Sequence, residues 1–361
     1  MQAATHLQQF SLQHNNLYHM SFVLVSGASG YIAQHTIRIL LEKGYKVIGT
    51  VRTQEKADSV AQLFNSDNLV LELVPELAKI DAFDHVFEKY NTQIKHVIHT
   101  ASPVRYNMTD FENEMLLPAI NGTRSVLESI KKFSADSVET VVYTSSISAL
   151  ANPAGIFKPE TTLTEETWNP DTWDDAIKDV HSAYYGSKTF AERSTWEFIK
   201  ENRDQVRFQL TTICPGYVLG PQAFDENAKG DLCYSGELVN GILKSKPGDV
   251  IDQHLAGSFI DVRDVARAHV LPLEDPKFAG QRLVLMNKRF ALQDVADYIN
   301  ENYPELNGKI SVGNPGAGKD IVATTSKYDN SKTRKLLGFE FVPFEQSVTD
   351  SVNQILAANK E

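Results

Sequence analysis

Apolar residues fall along this chain in short runs that end at glycine or a polar residue, with amphipathic stretches between them. Phe22-Val23-Leu24-Val25-Ser26 is such a run, and its pattern predicts a strand buried on both faces. Ile32 to Leu41 spaces its apolar positions for a helix, and Gly44 stands where that helix would be capped. Lys46–Val51 predicts the second strand. Further strands are predicted at Leu69–Val74, His96–His99, Thr140–Thr144 and Phe208–Ile213. Helical patterns occupy Lys56–Phe64, Ala82–Tyr90, Glu112–Phe133 and Ser182–Lys200. Strand and helix alternate, which predicts an α/β fold built on a doubly wound parallel sheet.

The rhythm breaks at Asn152–Asp179, a tract rich in Pro, Thr, Trp and acidic residues that reads as a long loop over a sheet edge. It breaks again after Pro221. Helices are predicted there at Glu237–Lys244, Val262–Leu273, Leu292–Asn300 and Phe344–Leu356. This predicts a smaller, mostly helical C-terminal cap that binds substrate, formed by residues 218–257 and 287–361. The sheet domain takes 21–217, with 258–286 returning to it. Residues 1–20 are rich in Gln, His and Asn and contain no Lys or Arg, so a disordered N-terminal extension is expected. Met20 stands just before the first strand as an alternative start.

Composition narrows the function classes. Apolar residues make up 42% of the 361 positions and charged residues 22%, an ordinary globular balance. The net charge of −11 argues against nucleic acid and anionic membrane as partners. An anionic ligand would need local cations and backbone amides. Two cysteines, Cys214 and Cys233, suggest neither a disulfide framework nor a metal site. A reducing compartment fits that cysteine usage, and no apolar run approaches membrane-spanning length.

The first strand leads into Gly27-Ala28-Ser29-Gly30-Tyr31-Ile32-Ala33. Gly27 allows a tight bend, and Gly30 lets backbone amides approach a pyrophosphate at a helix N-terminus. The small Ala33 permits close helix–sheet packing. The spacing differs from the general G-x-G-x-x-G fingerprint, but the strand before and the helix after place it correctly. After the second strand, an NAD site wants an acid for the ribose hydroxyls. This chain offers Arg52 and, one helical turn later, Lys56. Those cations suit the 2′-phosphate of NADP.

Tyr184 and Lys188 lie four apart and so share one helix face. A free phenol titrates near about 10, and a neighbouring ammonium would lower that value. Lys188 could also hydrogen-bond the nicotinamide ribose. Thr144-Ser145-Ser146 offers a strand-end serine that could hold a substrate carbonyl oxygen as charge develops on it. Tyr185 lies about 100° round the helix from Tyr184 and is expected to face away.

These motifs occur in an order that resembles the extended short-chain dehydrogenase/reductases. More narrowly, the chain is similar to the fungal NADPH-dependent aldehyde and ketone reductases, methylglyoxal and 3-methylbutanal reductases among them. Plant dihydroflavonol reductases are more distant. The resemblance runs from about Ser21 to the C-terminus. It is carried also by Asp81-Ala82-Phe83-Asp84, His99-Thr100-Ala101-Ser102-Pro103, Glu166-Thr167-Trp168-Asn169-Pro170 and Phe259-Ile260-Asp261-Val262-Arg263-Asp264-Val265-Ala266. It implies that Ser146 is the catalytic serine, that Tyr184 donates the proton and that Lys188 tunes it. It implies that Asn121 supports a proton relay. Glu76 and Leu77 would border the adenine, and Ala101 and Ser102 the cofactor ribose. Pro215, Val218 and Ser235 would lie near the nicotinamide end and the cap.

Val104, Arg105 and Tyr106, with Tyr217, would line the substrate pocket. Cys214 replaces an Asn or His common in relatives, and Val104-Arg105-Tyr106 replaces a more apolar stretch. Asp261, Arg263 and Asp264 read as a structural ion-pair cluster. The resulting expectation is a cytoplasmic NADPH-dependent carbonyl reductase of small aldehydes or ketones, monomeric or homodimeric. The alternatives are a nucleotide-sugar epimerase or dehydratase, against which Arg52 speaks, and a dinucleotide-sensing regulator, against which the intact Tyr/Lys pair speaks.

Overall fold

The computed structural model describes residues 21–102 and 108–360. The expectations for residues 1–20 and for Val104, Arg105 and Tyr106 lie outside the described residues. Twelve strands are described: β1 (Phe22–Ser26), β2 (Lys46–Val51), β3 (Leu69–Leu73), β4 (Ile94–His99), β5 (Thr140–Thr144), β6 (Thr162–Thr164), β7 (Gln209–Pro215), β8 (Tyr217–Leu219), β9 (Ala256–Asp261), β10 (Arg282–Leu285), β11 (Lys288–Ala291) and β12 (Lys327–Asp329). Seven form one sheet in the order β10-β7-β5-β4-β1-β2-β3. The β1 pairings with β2 and β4, and those of β2 with β3, β4 with β5 and β7 with β10, are all parallel.

Two compact units emerge. The first comprises Met1–Tyr143, Ala191–Thr211 and His269–Gly280. Its core gathers Leu24, Ile48, Phe83, Phe87, Val97, Val126, Ile130 and Phe198 from strands and flanking helices. The helix Leu117–Phe133 carries Pro118 in its first turn, where a missing N–H costs nothing, and is entered through a π-helical turn at Glu112–Leu116.

The second unit comprises Thr144–Phe190, Thr212–Ala268 and Gln281–Glu361. One of its cores joins Phe259, Phe290, Val295, Ile299, Phe344 and Val348. It holds a three-stranded sheet, β11-β9-β8, that the sequence pattern did not reveal. Strands of three to six residues, nearly all buried, show no alternation to read. Nor is Asn152–Asp179 plain loop. Asn152 caps a short helix at Pro153–Ile156, and Thr172 with Asp175 forms a capping box on Trp173–Ala176. Between them β6 pairs in parallel with β12. The Arg282 guanidinium stacks 3.9 Å from the Trp168 ring and donates to the carbonyls of Ala149, Glu165 and Thr167, which holds the tract in place. Arg263 bonds Asp261 and Asp350, while Asp264 accepts from the Val342 N–H.

His96 on β4 is 4% exposed, meets the Tyr45 ring edge-on at 6.4 Å and leaves its Nδ1 without a partner. Burial pushes its imidazole down to about 4. The unfolded chain therefore binds a proton there that the folded chain refuses. The stability this group contributes is full above about 6.5 and lost as pH falls from about 6.5 towards about 4. We expect His96→Phe to flatten the acid limb of the stability curve in that window by about 2–3 kcal/mol. Urea unfolding at a series of pH values measures it; parallel acid limbs in the two proteins would refute the assignment.

Candidate active site

The first unit carries the glycine turn. β1 ends at Ser26, and the next residue, Gly27, has φ +71°, a conformation that suits glycine. A Cβ there would stand 3.1 Å from the Ala101 Cα, so the turn also passes close to the chain leaving β4. Ser26 fixes that approach. Its hydroxyl bonds His99 Nδ1 at 2.8 Å and accepts from the Thr100 and Ala101 N–H groups, each at 3.0 Å. Ala101 and Ser102 follow directly, half-buried. The Gly30 N–H closes the turn on the Gly27 carbonyl at 2.8 Å. The helix Tyr31–Glu42 then starts with no side-chain cap and no acid in its first turn. A helix start left open in this way, with its positive dipole end, fits a phosphate.

Arg52 follows β2 and is exposed. Thr53 caps the helix Gln54–Phe64 by accepting the Lys56 N–H at 3.3 Å. Among the described residues neither Arg52 nor Lys56 has an acidic partner, so both cations are free to meet an anion. Glu76 is salt-bridged to Lys79 at 2.7 Å and faces solvent. Leu77 packs against the helix Leu117–Phe133, where a Cβ on Gly122 would come within 2.9 Å of it. Asn121 sits half-buried on the same helix.

The second unit brings Ser146, Tyr184 and Lys188 together. The Ser145 N–H is anchored to the Ile213 carbonyl at 2.7 Å, and Ser146 then caps the 3-10 turn Ile147–Ala149. The Ser146 hydroxyl accepts from the Ser148 N–H at 3.1 Å and donates to Ser148 Oγ at 3.2 Å. The helix Val180–Glu201 begins at Asp179, whose carboxylate takes the N–H groups of His181 and Ser182. Gly186 packs against Ala176 so closely that no side chain fits.

On that helix Tyr184 meets the Ser146 hydroxyl, and Lys188 Nζ lies 6.0 Å from the Tyr184 ring centre. The electrostatics differ from the sequence expectation. Burial pushes the Tyr184 phenol up, against an opposing pull from Ser146, and the Lys188 ammonium has no resolved share in setting it. Lys188 itself is 7% exposed, and burial lowers it to about 8. The lysine is desolvated, and burial rather than a nearby ammonium sets the phenol.

Tyr217 lies half-buried on β8 with its ring edge-on to Phe290 at 5.7 Å. Burial holds its phenol well up. Pro215 ends β7, buried beside Cys214, and Val218 is buried on β8. Ser235, in the first turn of the helix Tyr234–Lys244, lines a small cleft with Leu219, Gln222, Leu232 and Gln354. Sequence reasoning missed Ser148, although its spacing of two from Ser146 in a tight turn was available. Nor did it foresee that the Tyr185 phenol, expected to point away from the nicotinamide, meets the Ser148 side chain. Among the described residues no cluster could hold a metal ion.

Known proteins are similar to this chain along most of its length. The profile of the NAD dependent epimerase/dehydratase family matches residues 23–285. The NADPH-dependent methylglyoxal reductase of Saccharomyces cerevisiae is 48% identical over 335 residues, 92% of this chain and 98% of the relative. A putative NADPH-dependent methylglyoxal reductase of Candida albicans is 42% identical over 339 residues, 92% of this chain and 98% of that one. The crystal structure of the yeast methylglyoxal/isovaleraldehyde reductase complexed with NADPH superposes with a TM-score of 0.90 at 47% identity, covering 93% of this chain and 98% of the other. With the parallel sheet, the open helix start after β1 and the Tyr-x-x-x-Lys helix in hand, such agreement leaves one conclusion: the chain belongs to the NAD dependent epimerase/dehydratase family, within the extended short-chain dehydrogenase/reductases.

Proposed function

We propose that this protein reduces the carbonyl of small aldehydes or ketones to the alcohol with NADPH. The observation that carries the reading is the Ser146–Tyr184–Lys188 cluster in a chain 48% identical to an NADPH-dependent methylglyoxal reductase. When bound, NADPH supplies the hydride that reaches the carbonyl carbon. Everything else is done by the chain. The helix start at Tyr31 holds the pyrophosphate, and Arg52 and Lys56 take the 2′-phosphate. Glu76 and Leu77 border the adenine. Ala101, Ser102 and Lys188 serve the ribose, and Pro215, Val218 and Ser235 the nicotinamide end. Ser146 donates a hydrogen bond to the substrate oxygen, and Tyr184 delivers the proton. Asn121 is assigned to the relay that returns a proton to Tyr184. Tyr217 contacts the substrate, and residues 218–257 and 287–361 form the cap.

The exposed, acid-free Arg52 favours NADP over the NAD of an epimerase. The net charge of −11 supports a small-molecule partner over nucleic acid. No helix among the described residues is long and apolar enough to cross a membrane. Cytoplasmic location and a monomer or homodimer complete the proposal.

Three outcomes check it. Tyr184→Phe keeps the ring and removes the proton donor, so kcat should fall about 10²–10⁴-fold while NADPH still binds. Steady-state NADPH oxidation and cofactor fluorescence measure the two, and unchanged turnover would overturn the mechanism. Arg52→Ala should cut the preference for NADPH over NADH by roughly ten- to a hundredfold, since a charged hydrogen bond is worth about 1.5–3 kcal/mol. Equal use of both cofactors by the unaltered protein would remove Arg52 from this role.

Lys188 gives the third. Its folded pKa, about 8, lies below the ordinary 10.5, so the unfolded chain binds more protons between these values. Stability should therefore rise with pH across that window. Lys188→Met should abolish that slope, raise stability at pH 7 by about 1–3 kcal/mol and sharply reduce turnover. Thermal melts of the protein without cofactor decide this. A less stable Lys188→Met protein would show that the ammonium is satisfied in the fold.

A further inference from the structure

Tyr185 is the residue that sequence geometry set aside. Its ring packs with Ile147, Leu150, Ile156, Cys214 and Val284, and meets the Tyr184 ring edge-on with centres 6.2 Å apart. Its phenol meets the Ser148 side chain. Ser148 in turn is bound twice to Ser146, through its N–H at 3.1 Å and its Oγ at 3.2 Å. Ser146 meets Tyr184. Four side-chain hydroxyls thus form one line, Tyr184–Ser146–Ser148–Tyr185, and both serines in it are less than 8% exposed.

We propose that Tyr185 and Ser148 are positioning residues that aim the Ser146 hydroxyl at the substrate carbonyl oxygen. This rests on the carbonyl-reductase reading. Each hydroxyl has one proton to give. In the structure Ser146 gives its proton to Ser148. To hold the substrate oxygen it must turn that proton away, and Ser148 then loses a donor in a buried place. Tyr185 supplies the replacement. With Tyr185 donating to Ser148, Ser148 donates to Ser146, and Ser146 donates to the substrate. The line then points one way, and each bond strengthens the next. Only hydroxyl rotations are needed, and no covalent bond is made or broken. Burial holds the Tyr185 phenol well above the usual tyrosine range, which keeps it a donor.

The test is steady-state NADPH oxidation with methylglyoxal as the probe. It compares Tyr185→Phe, Ser148→Ala, their double variant and Tyr184→Phe. Each single change should lower kcat about three- to tenfold, the size of one neutral hydrogen bond, with KM and NADPH affinity within about twofold. The double variant should match the worse single within about twofold, because either change breaks the same line. Single variants that keep full kcat, losses confined to KM, or losses that multiply in the double overturn the inference. If Tyr184→Phe is inactive while Tyr185→Phe and Ser148→Ala equal the unaltered protein, only the positioning role falls. If Tyr184→Phe itself stays active, the reductase reading falls instead. Should Tyr185→Phe not fold, Ser148→Ala, which removes one oxygen, decides alone by the same kcat criterion.

Discussion

The arrangement depends most on the place of β1. It is paired along both edges, to β2 on one side and β4 on the other. From it the strand order runs outward in opposite directions, through β4, β5 and β7 to β10 one way and through β2 to β3 the other. In an open parallel sheet, connections leaving such a strand depart to opposite faces and leave a crevice at its carboxyl end. The chain cannot cross that crevice with a side chain in the way. At Gly27 a Cβ would press on the Ala101 backbone, and the positive φ there already disfavours other residues. Ser26 adds the opposite constraint by tying the end of β1 to three groups of β4 and its exit. One glycine and one serine thus set how near the two chain segments come, and the open helix start follows from the turn between them.

The second unit works against its own stability. Lys188 is nearly buried and lowered to about 8 by that burial, and among the described residues no acid pairs with it. A buried ammonium without a counter-charge is penalised, and such a position persists only where function needs it. The surrounding polar groups are better provided. Asp179 takes two N–H groups at the start of the helix Val180–Glu201, and the Ser182 hydroxyl gives it a third bond. Hydrogen bonding at the serines is dense, while Lys188 is desolvated.

Much of this was legible from sequence because it obeys short-range rules. The run Phe22–Ser26, the glycines after it and the four-residue spacing of Tyr184 and Lys188 are local patterns with fixed geometric meaning. The place of Arg52 just after β2 was legible because it follows from the strand boundary. What escaped depends on partners distant in sequence. β8, β9 and β11 are short and buried, so they carry no alternation. The order in Asn152–Asp179 comes from Arg282, more than a hundred residues away. The partner of Tyr185 escaped for the same reason. An angle of about 100° on a helix tells which residues share a face, but not what stands opposite the next face. Here Ser148 stands there.

The raised Tyr184 phenol bears on the proton transfer. A group that must deliver a proton needs to hold it at neutral pH, and burial does that for Tyr184. The acceptor is a substrate oxygen gaining negative charge, and an alkoxide is a stronger base than a phenolate. Transfer from the phenol is therefore favourable even when its pKa stands above the ordinary value. The reverse reaction makes the opposite demand, because a phenolate must then take the alcohol's proton. Burial opposes that phenolate, and the Ser146 hydroxyl opposes burial. A protonated phenol suits proton delivery, while the balance between the two directions is set by the reactants and the cofactor. A donor aimed at a substrate oxygen stabilises the charge that develops there in the transition state, which the forward and reverse reactions share.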